Sequence, residues 1–195
     1  METNPSLKGL ILCGGYSTRM QQDKSNISYH GIPQWQYLLT LLQGIVPEVY
    51  ISCRPDQEAI FAGAAPLIPD SVPGGGPATG LLSASAAYPG TAWFVLACDL
   101  PLISHQSLKY LVAFRNPGKA ATAFISPVNH LPEPLIAIWE PRGLEVLAQS
   151  VATGKSCPRK ALLQTDIQVL ENPYAGEQFN ANTPEEMQEA IKLIR

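Results

Sequence analysis

Short apolar runs of strand length recur along this sequence, and most are followed by a stretch with helical spacing. Leu7–Cys13 (LKGLILC) reads as a strand, and Gln34–Gly44 (QWQYLLTLLQG) as a helix closed by Gly44 at the position where glycine commonly ends a helix. Val49–Cys53 reads as a strand, Asp56–Gly63 as a short helix, Pro66–Ile68 as a short strand and Ala78–Tyr88 as a helix. Ala92–Cys98 (AWFVLAC) is apolar throughout and predicts a strand buried on both faces. Ser104 is placed to cap a helix over Gln106–Phe114. Ala120–Ser126 and Leu135–Glu140 read as further strands, and Pro141 can occupy the first turn of a helix ending at Ala152. Thr183-Pro184-Glu185-Glu186 opens a last helix with a cap, a proline and two acidic residues near the positive dipole end. This alternation predicts an α/β fold around a mostly parallel central sheet.

At 195 residues, with no repeat, charge block or low-complexity linker, the chain reads as one domain spanning residues 1–195. Hydrophobic residues make up 46% and charged residues 15%, which provides for a substantial core and argues against disorder. The net charge of −3, with no compensating Lys/Arg run, excludes the electrostatic footprint of a nucleic-acid binder. A bound polyanion must therefore be held by a few placed cations and backbone amides. No membrane span or signal-peptide core is legible, so a cytoplasmic location is expected. Cys13, Cys53, Cys98 and Cys157 lie far apart and form no CxxC pair. They read as small hydrophobes rather than as a zinc site or a disulfide.

Four segments carry candidate chemistry. LCGGYSTRMQQDK follows the first strand, and Gly14-Gly15 lets the backbone turn and present its N–H groups to phosphate. Ser17, Thr18, Arg19 and Lys24 add hydroxyl donors and two cations, although the spacing is neither Walker A nor G-x-G-x-x-G. Cys98-Asp99-Leu100-Pro101 places a carboxylate beyond the carboxyl end of the most hydrophobic strand, where α/β sheets bind ligands and where Mg²⁺ can bridge to phosphate. Asp70 ends another strand beside the glycine-rich GGGPATG segment. Asn180 and Asn182, before the last helix, can present amides in one direction. Taken singly, each segment also fits an ordinary turn.

Together these segments resemble the molybdenum cofactor guanylyltransferase family, within the nucleotidyltransferases of Rossmann-like fold. The family's opening signature, close to LxGGxSxRMGxDK, stands here as LCGGYSTRMQQDK. Its GPLAGL appears as GPATGL (Gly76–Leu81), its CDxP as CDLP (Cys98–Pro101) and its NxNTPEE as Asn180–Glu186, in family order across nearly the whole chain. The resemblance implies a Rossmann-like three-layer sandwich. It implies an enzyme that transfers GMP from GTP to the terminal phosphate of molybdopterin and releases pyrophosphate. On the matched positions, Leu12, Cys13, Gly14 and Gly15 contact the nucleotide, Arg19 and Lys24 neutralise phosphates, and Asp99 holds Mg²⁺. Asp70 lines the guanine or ribose side, and Gly80 lets its segment approach the nucleotide. Asn180 and Asn182 face the pterin substrate, with Arg159 a looser candidate for its phosphate. Cofactor-delivery proteins and molybdoenzymes are the further partners that such a product implies.

The chain departs from the family pattern at Gln21, where a glycine is expected, at Ile32, where a lysine is usual, and at Cys53, which stands in place of an asparagine before Arg54. The second glycine of Gly14-Gly15 leaves room for a purine, whereas relatives that use CTP carry an AAG-like turn. Readings left open are a transferase using CTP or a sugar phosphate, and a non-catalytic nucleotide- or pterin-binding module.

Overall fold

The run AWFVLA is buried at every position and forms the strand β4, Ala92–Ala97, at the middle of the sheet. The computed structural model describes residues 4–17, 19–20, 22–72 and 76–194; Thr18, Gln21 and Pro73–Gly75 lie outside the described residues. The other strands are β1 (Leu7–Leu12), β2 (Val49–Cys53), β3 (Leu67–Pro69), β5 (Ala121–Ile125), β6 (Pro132–Trp139) and β7 (Gln168–Leu170). They build one sheet in the order β3-β2-β1-β4-β6-β5-β7. β3, β2, β1 and β4 run parallel, β6 is antiparallel to both β4 and β5, and β7 is parallel to β5. The expected mostly parallel α/β sandwich is thus the observed one.

The helices are α1 (Gln34–Gln43), α2 (Glu58–Phe61), α3 (Pro77–Ala87), α4 (His105–Ala113), α5 (Pro141–Ala152), α6 (Pro158–Leu162) and α7 (Pro184–Ile194). Alternation along the strands sends side chains to opposite faces and makes two cores. On one face Ile11, Ile51, Phe94 and Leu96 pack against Leu38 and Leu42 of α1, Phe61 of α2 and Leu108 and Leu111 of α4. On the other, Leu10, Trp93, Val95 and Trp139 pack against Leu81 of α3, Leu144 and Leu147 of α5 and Leu162 of α6. Three layers result. A third cluster ties α7 to the loop after β1, through Met20, Ile27 and Tyr29 against Ala181 and Ala190.

Several boundaries differ from the expected ones for local reasons. The segment read as a helix over Asp56–Gly63 divides into a 3₁₀ turn at Pro55–Gln57 and the four-residue α2. The strand expected over Leu135–Glu140 begins at Pro132, because a register shift against β5 lets two prolines without N–H groups join it. The short α6 and β7 were not expected at all. The caps stand as read: Ser104 Oγ accepts from Gln106 N, and Thr183 and Glu186 exchange bonds across the first turn of α7.

Candidate active site

β1 is followed in the chain by β2 on one side and neighboured by β4 on the other, so the strand order reverses between β1 and β4. An open α/β sheet has its crevice at such a point, beyond the carboxyl ends of the strands. A cavity lies there. Its lining includes Leu12, Cys13, Gly14, Gly15, Ser17, Asp23, Lys24 and Ser25 from the loop after β1. Asp70, Gly76, Pro77 and Gly80 line it from the segment after β3 and the start of α3, and Ala97, Cys98 and Asp99 from the end of β4.

The glycine loop is braced from outside. Arg54 Nη1 donates to the carbonyls of Gly14 (3.0 Å) and Gly15 (3.2 Å), while Nη2 and Nε hold Asp56. The exposed Tyr16 ring covers that guanidinium, with 4.6 Å from its centroid to Arg54 Cζ. Arg54 thus fixes the course of the Gly14-Gly15 turn at the cavity wall. Gln57 Nε2 donates to Asp23 Oδ2 (2.7 Å) and to the Cys13 carbonyl (3.3 Å). Asp23 in turn caps the 3₁₀ turn Lys24–Asn26 through Ser25 N. Ser17 takes a positive φ of 48° and accepts from Lys24 N at 3.1 Å, so the loop folds back on its own lysine.

Lys24 Nζ reaches across the cavity mouth to Asn182 Oδ1 at 2.6 Å. The neighbouring Ala181 N donates to the Asp99 carbonyl at 2.9 Å, which fastens the Asn180–Asn182 segment to the end of β4. Burial pushes the Asp99 carboxyl above the usual carboxylate range, opposed by the charges of Lys24 and Arg19. Asp70 is also raised by burial, opposed by Ser52, whose Oγ donates to Oδ1 at 3.4 Å, and by Arg54. A Cβ on Gly14 would stand 2.9 Å from Asp70 Oδ2, so the loop passes directly over that carboxylate.

Leu12, Cys13, Gly14, Gly15, Lys24, Asp70, Gly80 and Asp99 are thus brought to one cavity. Arg19 is exposed but close enough for its charge to act on Asp99. Asn182 joins through Lys24, whereas Asn180 turns its amide back to the Gln178 carbonyl (3.1 Å). Gly80 lies in the first turns of α3, where a Cβ would stand 2.5 Å from Ser52 Oγ and 2.7 Å from Leu12 Cδ2. Its smallness therefore also lets α3 pack on β1 and β2 beside the cavity that it lines. Arg159 is not brought to the cavity. It pairs with Glu133 at 2.9 Å and donates to the Pro132 carbonyl, and Glu133 is near enough for its charge to act on Asp99. Asp23, Ser52, Arg54 and Gln57 were missed as site-shaping residues, and only the departure noted at Cys53-Arg54 drew attention to that turn.

Cys13 and Cys98, distant in the chain, meet here with Sγ atoms 3.2 Å apart. Burial, together with the bond to Cys98, pushes the Cys13 thiol well above its usual range. Among the described residues no three His, Cys, Asp or Glu side chains converge as a metal cage, and no helix is long and apolar enough to cross a membrane.

A glycine loop, a lysine and a strand-end carboxylate at the switch point of a mostly parallel sheet define a nucleotide-handling α/β protein. The fold is shared with the molybdopterin-guanine dinucleotide biosynthesis protein A of Archaeoglobus fulgidus, with a TM-score of 0.77 and 20% identity, over 96% of this chain and 98% of that one. The chain belongs to the MobA-like NTP transferase domain family, whose pattern matches residues 9–176, and is a nucleotidyltransferase by class. It is 31% identical to the molybdenum cofactor guanylyltransferase of Pseudomonas putida KT2440, over 95% of this chain and 97% of that protein. It is 33% identical to a molybdenum cofactor biosynthesis bifunctional protein of Synechocystis, covering 92% of this chain but spanning only about half (52%) of that protein's length.

Proposed function

We propose that this chain transfers GMP from GTP to the terminal phosphate of molybdopterin, releasing pyrophosphate and forming the guanine dinucleotide cofactor. One observation carries the reading: the glycine loop, Lys24 and Asp99 line one cavity, with Lys24 bonded to Asn182, in a chain whose relatives are named for this activity. The reaction is in-line attack by a phosphate oxygen on the α-phosphorus. Both reactants are anions, so positioning and charge neutralisation carry the catalysis and no protein nucleophile is required.

In this reading the N–H groups of the Gly14-Gly15 turn and the Lys24 ammonium hold the triphosphate, with the Arg19 charge near the reacting centre. Asp70, under Gly14, faces the nucleoside, where a carboxylate can accept from guanine N–H groups that cytosine lacks. Asn182 holds Lys24 and so links the nucleotide side to the segment that faces the pterin.

The donor set fits Mg²⁺, which takes one or two carboxylates and completes its shell with phosphate oxygens and water. Asp99 is such a carboxylate, and its burial favours a cation beside it. Mg²⁺ held there supplies charge neutralisation at the α-phosphate.

The test is pyrophosphate release in the presence of Mg²⁺, with GTP, CTP or ATP and with or without molybdopterin. Release that needs both GTP and molybdopterin supports the proposal. Release with CTP would move the base assignment, and no release with any pair would leave a binding module.

A further inference from the structure

Cys13 and Cys98 continue β1 and β4 by one residue each. The strands run parallel with Leu12 opposite Ala97, so the next residues face each other across the switch point. Neighbouring strands stand about 4.8 Å apart, inside the ~4.4–6.8 Å Cα separation that a disulfide tolerates. Their sulfurs are already 3.2 Å apart. Both residues border the cavity, with their side chains buried among the apolar residues of the α1 face of the sheet. Each is also the last residue before a site element: Gly14-Gly15 follow Cys13, and Asp99 follows Cys98. Cys53, following Ser52 opposite Leu12, is buried on the same face and near enough for its charge to act on Cys13, and Cys157 is exposed.

We propose that Cys13 and Cys98 form a modification site, closing to a reversible disulfide on exposure to peroxide and thereby cross-linking the phosphate loop to the strand end that bears Asp99. One sulfur attacks a peroxide oxygen, the O–O bond breaks, and water leaves a sulfenic acid behind. The second sulfur attacks the first, the S–O bond breaks, and another water departs. Two thiols and one hydrogen peroxide become one disulfide and two waters, and a dithiol reductant reverses the change. Closing the gap from 3.2 Å to the ~2.05 Å of an S–S bond needs only side-chain rotation and then fixes the two strand ends at their present spacing. A cross-link that restrains the phosphate loop against the Asp99 strand end lowers turnover, because a positioned site tolerates little misplacement. The consequence for turnover rests on the function proposed above; the formation of the bond does not.

The experiment treats the full chain with hydrogen peroxide, blocks remaining thiols by alkylation and maps the digested peptides by mass spectrometry. The expected result is a Cys13–Cys98 linked peptide that disappears on treatment with dithiothreitol. Transfer activity should fall and recover in step with it. In Cys13→Ser the linked peptide is absent, and the ratio of treated to untreated activity stays near one, whatever that variant's own activity. Cys157→Ser should still form the link, which separates it from cross-linking between molecules. If both thiols of the parent chain are recovered alkylated, or oxidised without a link, the proposal is overturned. The peptide map reads the bond without any transferase assay, so failure of the proposed activity and failure of this inference are distinguishable.

Discussion

Asp99 sits half-buried at the cavity floor, its carboxyl disfavoured by burial and favoured by Lys24 and Arg19. Such a group costs the fold energy to keep ionised, and in the proposed function that cost is offset by a cation held between it and phosphate. Asp99→Asn should therefore lower kcat by about 10²–10³-fold, the loss that follows removal of one transition-state contact. Thermal unfolding should be unchanged or slightly raised, because the backbone bond from Ala181 N to the Asp99 carbonyl remains. Steady-state pyrophosphate release beside a melting curve checks both, and a purely structural Asp99 would lower the melting temperature instead. At this scale the site was legible where residue type and strand-end position coincide, as at Gly14, Gly15, Lys24, Asp70 and Asp99. Arg54 and Gln57 act on the loop from a turn some forty residues away, and no spacing advertises that. Arg159, whose type suits phosphate, lies outside the cavity lining and is paired with Glu133.

Elements were read well where a hydrophobic period is sustained, as in β1, β2, β4, α1, α4 and α5. They were read poorly where tertiary pairing supplies what the local pattern lacks. β7 is only three residues at the sheet's edge, with Val169 partly exposed, and it exists because β5 offers it a parallel partner. β6 accepts prolines through a register shift that no local signal shows. The joint between α3 and the sheet depends on Gly80. Gly80→Ala gains about 1 kcal/mol of helix propensity but forces a methyl against Ser52 Oγ and Leu12 Cδ2, an overpacking that costs about 1–3 kcal/mol. The expected outcome in denaturant unfolding is net destabilisation, partly relieved in the double variant with Ser52→Ala. A Gly80→Ala chain as stable as the parent would show that the joint is loose.

For the whole molecule, the decisive feature is the reversal of strand order between β1 and β4, which sets the glycine loop and Asp99 side by side. The chain's segments, in order, already implied this family, and the sheet topology and family match bear that out. The meeting of Cys13 and Cys98 was not legible, because contact between residues so far apart in the chain is a product of topology and leaves no local mark. The third cluster, in which α7 packs on the loop after β1, likewise emerges only in the fold, and it brings Asn182 to Lys24. The central claim is that these parts cooperate to move a guanylyl group. Its most direct measurement incubates the protein with Mg²⁺, molybdopterin and GTP labelled at either the α- or the γ-phosphorus. The account predicts that α-label appears on the pterin product while γ-label leaves as pyrophosphate. Transfer of γ-label to the pterin, or retention of all α-label on free nucleotide, would contradict it.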